Sequence, residues 1–230
     1  MTGHIGIVAC SAEGAALCYR TICTEAPQRM GTYAHPEVTV HTPSLARYAA
    51  CLDAGHWDGV AELMLESAEA LSRAGADFLI CPDNTIHNAL DRVIPRSPLP
   101  WLHIAEVVAR EARAKGFGRP GITGTSWLVE SEVYPAALEA VGLDWERPGA
   151  EDRAELSRII MDELVCGVFG KTSTARLLRI IERLEKAGCD SVILGCTELP
   201  LVIDDENSSL PTLDSTRLLA RAAIARAVSG

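Results

Sequence analysis

The chain has 230 residues, of which 48% are hydrophobic and 23% are charged, and its formal net charge is −10. This is the composition of an ordinary globular protein, and the length suits one large domain or two small ones. Basic residues are scattered, and no apolar stretch approaches the ~20 residues of a membrane span, so the sequence argues against nucleic-acid and membrane partners.

The opening segment MTGHIGIVAC enters a strand-like run at once, without the basic and apolar regions of a secretory leader. We therefore expect a cytoplasmic protein. Its eight cysteines should then be reduced thiols, and most of them should pack as small core residues. No two of them have C-x-x-C spacing, so a zinc site is not predicted.

In the first half of the chain, short apolar runs alternate with segments of helical periodicity. Residues 4–11 and 37–42 are predicted strands, and residues 13–24 form a predicted helix between them. A second helix is predicted from apolar residues at helical spacing, and the apolar run AGADFLICP then predicts a third strand. The apolar positions of that second helix are Val60, Leu63, Met64, Ala68 and Leu71.

The second half repeats this plan. GITGTS (121–126) mirrors GIVACS (6–11), and AGCDSVILGCTELP mirrors AGADFLICPDNTIH without a gap, so that Cys196 aligns with Asp83. SSLPTLD likewise mirrors SPLPWLH. Between the repeated strands, Leu177, Leu178, Ile181 and Leu184 predict an amphipathic helix.

Alternating strands and helices predict an α/β fold with parallel sheets. The repeat predicts two similar Rossmann-like lobes related by a pseudo-twofold axis, with the active site in the cleft between them. We place the N-terminal lobe at residues 1–102 and 213–230, and the C-terminal lobe at residues 103–212. Asp83 and Cys196, each just beyond a strand, would then approach a ligand from opposite sides.

The residues after Asp83 and Cys196 are small and polar, of the kind that opens helices. A helix N-terminus would attract an anionic ligand and would lower the pKa of the Cys196 thiol from ~8.5. Cys81, two residues before Asp83, would lie too far back along the strand to replace it, so we interpret Cys81 as structural.

The motifs GIVACS, CPDNTIH, GITGTSWLVESEVYPAAL, GCTELPL and LPTLDST together resemble the aspartate/glutamate racemase superfamily over the whole chain. The resemblance implies two α/β lobes, independence of pyridoxal phosphate, no metal, a homodimer and a small-molecule carboxylate substrate. It also implies two catalytic cysteines, one that removes the α-proton and one that returns a proton on the opposite face. Asp83 stands where the family has the first of these cysteines, and Cys196 matches the second.

The resemblance also suggests substrate contacts. Arg47 matches an arginine that grips a side-chain carboxylate, as a planar guanidinium does well. Where relatives often have a basic residue near position 166, this chain has Cys166, and this weakens the case for aspartate or glutamate. The remaining predicted substrate-binding residues are Asn84, Thr85, Thr125, Ser126, Thr197 and Glu198, with Ser11 and His87 as possible supporting residues.

Nucleotide binding is not predicted, because neither G-x-G-x-x-G nor G-x-x-x-x-G-K-[ST] occurs. Three functions remain open. The first is a cofactor-independent racemase or epimerase that uses Cys196 and Asp83. The second is a decarboxylase of a malonate-type acid that uses Cys196 alone, with Asp83 as an inert cap. The third is a ligand-binding homologue without catalysis.

Overall fold

The structure is a computed structural model that describes residues 2–229. Its contacts divide the chain into two compact units, Met1–Ile104 with Thr216–Gly230, and Ala105–Ser215. Among the described residues, no helix combines the length and the apolar character needed to traverse a bilayer.

The first unit is built around four parallel strands. In chain order its elements are β1 (Ile5–Val8), α1 (Ala12–Glu25), α2 (Pro27–Met30), β2 (Val38–His41), α3 (Leu45–Asp53), α4 (Trp57–Arg73), β3 (Phe78–Ile80), α5 (Leu90–Val93) and β4 (Trp101–Leu102), and α6 (Ile104–Ala114) then leads out of it. The strands lie in the order β2-β1-β3-β4.

The second unit has a smaller parallel sheet. Its elements are β5 (Pro120–Thr123), α7 (Ser126–Val129), α8 (Val133–Ala140), α9 (Ala150–Ile159), α10 (Lys171–Lys186), β6 (Ser191–Leu194) and β7 (Thr212–Asp214). The strand order is β5-β6-β7, and an isolated bridge joins Gly121 to Glu146 where the first unit has β2. The last helix, α11 (Ser215–Ser229), returns to the first unit, where Gly3 N donates to Ala227 O at 2.9 Å.

The cores form as the apolar spacing predicts. All five predicted core positions of α4, from Val60 to Leu71, are buried. In α10, Leu177, Ile181 and Leu184 are buried, and Leu178 packs against the same core from a partly exposed position. Strands β1, β3, β5 and β6 are buried throughout, as expected for parallel strands with helices on their faces.

The sequence repeat has a counterpart in the backbone. Gly75 and Gly188 end the aligned helices with φ angles of 91° and 92°. Two residues later, Asp77 accepts a hydrogen bond from His4 N at 2.7 Å, and Asp190 accepts one from Gly118 N at 2.5 Å. Each aspartate therefore ties the start of one strand to the start of its neighbour.

Strand register is also the same in both units. Ile5 pairs with Phe78 in the first sheet, and Pro120 pairs with Ser191 at the equivalent place in the second. The loops before β4 and β7 match as well, since Ser97 and Ser208 each form hydrogen bonds to the backbone two residues further on. The predicted α/β fold with two parallel-sheet units is confirmed.

Candidate active site

Most of the predicted site residues fall into two groups, each at the carboxyl ends of one sheet. We call Ser11, Asp83, Asn84, Thr85 and His87 the first half-site. We call Thr125, Ser126, Cys196, Thr197 and Glu198 the second half-site. In parallel sheets this edge is where side chains from successive strands converge, so each group is placed by the topology of its own unit.

In the first half-site, Asp83 follows β3 in a partly buried position. Its Oδ1 accepts a hydrogen bond from Ile86 N at 3.2 Å. The backbone then turns into a 3₁₀ helix, Thr85–Ala89, in which Asn84 takes the N-cap position without a capping hydrogen bond from its side chain. Asn84 and Thr85 are both buried.

His87 supports Asp83 from behind. Its Nδ1 lies 2.7 Å from the Asp83 carbonyl oxygen, and its Nε2 accepts from Ile104 N at 3.3 Å. Burial and the neighbouring His103 lower the pKa of His87 to about 3, so the imidazole is neutral, with the proton on Nδ1. The structure therefore gives His87 a fixed orienting role and leaves both of its ring nitrogens occupied.

Cys81 and Ser11 lie beyond β3 and β1 of the first sheet, and both have structural roles. Cys81 is fully buried, and its thiol donates to the Asp83 carbonyl oxygen at 3.7 Å. Burial raises the pKa of Cys81 well above its usual value, and the charge of Asp83 raises it further, so this thiol stays protonated. Ser11 is the N-cap of α1, where its hydroxyl accepts from Gly14 N at 3.3 Å.

The second half-site starts from a close approach of β5 and β6. Gly195 N donates to Thr123 O at 3.0 Å, and a Cβ atom at position 195 would lie 2.4 Å from that same oxygen. Across from it, Gly124 has a φ of 153° and lies against Gly195 O. Two glycines at this point let the backbones meet, and Cys196 is the first residue beyond the contact.

Cys196 lies in a small polar cluster. Its side chain is nearly buried, with 9% exposed, and its Sγ donates to Glu198 Oε2 at 3.0 Å. Thr197 Oγ1 donates to the same oxygen at 2.7 Å. Glu198 is only 2% exposed, so a carboxylate withdrawn from water faces the thiol directly. Such a group is able to accept the thiol proton.

The expectation that α-helices begin directly after Asp83 and Cys196 is wrong. The segment after Cys196 is a 3₁₀ helix of three residues, Leu199–Leu201, and the segment after Asp83 is also 3₁₀. Glu198 takes the N-cap position without a capping hydrogen bond, because its carboxylate turns to Cys196 and Thr197 instead. The electrostatic influence on the thiol therefore comes from a side-chain carboxylate, and the helix-terminus explanation does not apply.

Thr125 and Ser126 follow β5 and open α7. Thr125 is buried, and its hydroxyl accepts from Leu128 N at 3.4 Å as the N-cap of that helix. Ser126 is tied to α9, where Ser157 Oγ contacts both Ser126 N at 3.2 Å and Ser126 Oγ at 3.3 Å. Ser126, Ser157 and several residues of α9 line an open cavity of about 460 Å³.

Arg47 lies on α3 and is half exposed. Its guanidinium forms a two-pronged ion pair with Glu66 of α4, at 2.8 and 3.2 Å. The same surface carries Glu62, Glu69 and Arg96, which line a cavity of about 400 Å³ with Arg47. The structure thus places Arg47 in a charged surface network.

Two side chains near the half-sites were missed in the sequence. Ser157 lies in a polar, amphipathic stretch with no motif, so no local signal indicated it. Tyr48 follows Arg47 directly and is completely buried in the core that also holds Cys10 and Cys81. Tyr48 follows an exposed arginine on α3, and the helical periodicity of this segment could have indicated that Tyr48 is buried.

Metal binding has no visible support among residues 2–229, in which no cluster of three or more His, Cys, Asp or Glu side chains has suitable geometry. The protein is therefore an α/β protein with two parallel sheets. One sheet edge carries the thiol–carboxylate pair of Cys196 and Glu198, and the equivalent edge of the other sheet carries the carboxyl group of Asp83. These are groups that exchange protons.

The family profile of the Asp/Glu/Hydantoin racemases matches residues 5–223, and the chain belongs to this family. It is 23% identical over 170 residues to the broad specificity amino-acid racemase RacX of Bacillus subtilis, covering 73% of this chain and 72% of that protein. It superposes with a TM-score of 0.84 on an aspartate racemase homologue from Pyrococcus horikoshii, at 29% identity and covering 98% and 99% of the two chains. The aspartate racemase of Picrophilus torridus, at 18% identity, shares the fold with a TM-score of 0.75 over 98% of this chain and 94% of that one. Family membership supports amino-acid racemisation, an isomerase activity, in general terms.

Proposed function

We propose that this protein is a pyridoxal-phosphate-independent racemase or epimerase of a small amino acid, aspartate- or glutamate-like, or of a related carboxylate. The two half-sites serve one substrate, and Cys196 and Asp83 act on opposite faces of its α-carbon. The observation that carries the proposal is the Cys196 thiol, which donates to the buried carboxylate of Glu198 at 3.0 Å. The match to amino-acid racemases over nearly the whole chain supports the same reading.

In the first step Glu198 takes the thiol proton, and the Cys196 thiolate then removes the α-proton of the substrate. Thr197 donates to the same Glu198 oxygen, which fixes the carboxylate toward the sulfur. A thiolate is the reactive form of cysteine, and a neighbouring base generates it. Glu198 is thus assigned a role on Cys196 in place of direct contact with the substrate.

In the second step Asp83, in its protonated form, returns a proton to the opposite face of the α-carbon. The breaking Cα–H bond leaves its proton on sulfur, and the new Cα–H bond takes its proton from Asp83, so one turnover exchanges the protonation states of the two groups. The reverse reaction begins with ionised Asp83 and neutral Cys196. The His87 bond to the Asp83 backbone holds the position of the carboxyl group.

Polar residues around each acid/base group are the proposed substrate contacts. Asn84, Thr85 and Thr197 would hold the α-carboxylate and α-substituent. Thr125 and Ser126 would donate hydrogen bonds to the ligand. Arg47 is the remaining proposed contact. Because its guanidinium is paired with Glu66, a substrate carboxylate would have to replace that ion pair.

A decarboxylase that uses Cys196 alone is the second candidate. It is favoured by the hydrogen bond from Ile86 N to Asp83 Oδ1, since a carboxylate that caps a turn has a structural function without any proton transfer. In that reaction the Cα–CO₂ bond breaks, carbon dioxide leaves, and the Cys196 thiol protonates the remaining carbanion on one face.

The deciding experiment incubates the purified protein with candidate amino acids and malonate-type acids in deuterated water. Proton NMR follows loss of the α-proton signal, chiral chromatography follows inversion, and carbon dioxide release is measured in parallel. A racemase exchanges the α-proton and inverts the centre, and Cys196→Ser removes both activities. Asp83→Asn should abolish inversion, and Asp83→Cys should preserve or raise it. Carbon dioxide release that survives Asp83→Asn would select the decarboxylase, and tight ligand binding without turnover would select a non-catalytic homologue.

Glu198→Gln isolates the thiol–carboxylate pair. The amide cannot take the thiol proton, so kcat should fall by roughly 10²- to 10⁴-fold, the range typical of lost general-base assistance. The exposed Glu206→Gln serves as the matched control and should leave kcat unchanged. Equal activity of the two variants would remove Glu198 from the mechanism.

We also propose a cytoplasmic homodimer. Sedimentation of the purified chain tests the oligomeric state, and a mass equal to one chain would overturn that part of the proposal.

A further inference from the structure

Tyr48 carries a buried hydroxyl group without a hydrogen bond. The side chain is 0% exposed, and its oxygen has no hydrogen-bond partner among residues 2–229. Ser67 lies near enough to affect the pKa of Tyr48, but the contact does not meet hydrogen-bond geometry. A buried hydroxyl without a hydrogen bond costs about 1–3 kcal/mol of stability, so the presence of the Tyr48 hydroxyl needs an explanation.

The surroundings of this hydroxyl connect it to the first half-site. Tyr48 packs in one core cluster with Cys10, which follows β1, and with Cys81, which follows β3. The Cys81 thiol contacts the Asp83 carbonyl oxygen. The phenol therefore lies behind the strand end that presents Asp83, on the side facing the core.

The polar groups around Tyr48 come from each element packed against it. They are Cys10, Cys81 and Asp83 at the strand ends, Ser67 on α4, His41 on β2, which reaches Ser67 at 3.0 Å, and Arg47 and Cys51 on α3 itself. Burial raises the pKa of Tyr48, and the nearby thiols and the Asp83 carboxylate raise it further, so the phenol keeps its proton at every working pH.

We propose that Tyr48 is a positioning residue for Asp83. In one of the two protonation states that turnover requires, the Asp83 carboxylate leaves Ile86 N and accepts a hydrogen bond from the buried Tyr48 hydroxyl. That state is the ionised one, because a phenol O–H donates a stronger hydrogen bond to an ionised carboxylate than to a carboxylic acid. The weak 3.2 Å contact to Ile86 N is what the carboxylate gives up. This inference adds Tyr48 to the proposed function. It rests on that proposal only for the role of Asp83 in turnover.

A donor that favours the ionised carboxylate lowers its pKa, so removing the donor raises it. In Tyr48→Phe, the Asp83 titration midpoint should move upward by about one unit, the effect expected for one hydrogen bond to a charged group. The midpoint is read from the carboxyl carbon signals of the ¹³C-aspartate-labelled protein, with Asp83→Asn used for assignment. This measurement needs no turnover, so it succeeds or fails independently of the racemase proposal.

Tyr134→Phe is the matched control. Tyr134 is also completely buried, but it lies in the second unit and hydrogen-bonds Ser215. Its loss should lower the melting temperature and leave the Asp83 midpoint in place, whereas Tyr48→Phe should keep or raise the melting temperature. Where the racemase reaction is detected, the acidic limb of kcat should shift with the midpoint in Tyr48→Phe, in the direction in which ionised Asp83 removes the α-proton.

A second variant guards against a folding defect in Tyr48→Phe. Difluorotyrosine incorporated at position 48 has a more acidic phenol, which is a stronger donor, and it should move the Asp83 midpoint downward. An unchanged midpoint in both variants would overturn the proposal and leave Tyr48 as a packing residue. A raised KM with an unchanged midpoint would also overturn it, because the hydroxyl would then bind the ligand.

Discussion

The two units of this protein share a scaffold and differ at the strand ends. In both, a helix ends at a glycine with φ near 90°, an aspartate ties the next strand to its neighbour, and the strands pair in the same register. The side chains directly beyond β3 and β6 differ. Asp83 is partly buried and bonds to backbone, whereas Cys196 is nearly buried and bonds to the carboxylate of Glu198. Backbone contacts therefore hold the shared fold, while the residues beyond the strands carry different chemistry in the two units.

The strand ends should respond very differently to substitution. Gly195→Ala places a Cβ 2.4 Å from Thr123 O, a backbone atom that cannot give way, and should destabilise the protein by about 3 kcal/mol. The aligned residue in the first unit is Pro82, which already has a Cβ, so Pro82→Ala should cost about 1 kcal/mol or less. Urea unfolding of both variants gives the two values. Equal costs would mean that the close approach of β5 and β6 has no special role.

The stability of the fold should depend on pH through His87 of the first half-site. His87 is neutral in the fold, with a pKa of about 3, and takes up a proton near pH 6.5 when unfolded. Its folded pKa is lowered, so the unfolded state binds more protons below pH 6.5 and the folded state loses stability as the pH falls. From pH 7.5 to pH 5 this amounts to about 2 kcal/mol.

The measurement is the free energy of unfolding of the wild type and of His87→Gln at both pH values. His87→Gln should lose this part of the pH dependence, although it lowers the overall stability. The exposed His35→Gln is the control and should keep it. A pH dependence that is the same in wild type and His87→Gln would show that the imidazole is not held neutral.

Replacing Asp77 or Asp190, which accept hydrogen bonds from a neighbouring strand, should give the smallest difference in stability between the two units. Asp190 accepts from two backbone N–H groups, Gly118 and Arg119, while Asp77 accepts from His4 N. Asp190→Ala should therefore cost about 2 kcal/mol and Asp77→Ala about 1 kcal/mol, both moderated by solvent at these sites. Thermal and urea unfolding check the order. A larger cost for Asp77→Ala would contradict the idea that the number of accepted bonds sets the strength of the tie.

Local sequence signals predicted helices α1, α4 and α10, strands β1, β2, β3, β5 and β6, and the repeat, because periodic burial and glycine-ended helices are short-range properties. Asp83 and Cys196 could be aligned for the same reason, since each stands at a fixed distance from a glycine and an aspartate. The order of strands within each sheet, β2-β1-β3-β4 and β5-β6-β7, was not predicted from the sequence, because alternation of strands and helices does not fix which strands are neighbours.

Only the tertiary structure decided which groups meet at the strand ends. Glu198 was predicted to contact the substrate or to orient its neighbours, and the structure adds that its buried carboxylate faces Cys196 at the start of a short 3₁₀ turn. Arg47 stays a predicted ligand contact, and the structure adds that it pairs with Glu66 through the packing of α3 on α4. The burial of Tyr48 could be inferred from helical periodicity, but only the structure shows that its hydroxyl has no hydrogen-bond partner among residues 2–229. Spacing along a chain fixes periodic burial, whereas side-chain partners depend on where distant segments pack.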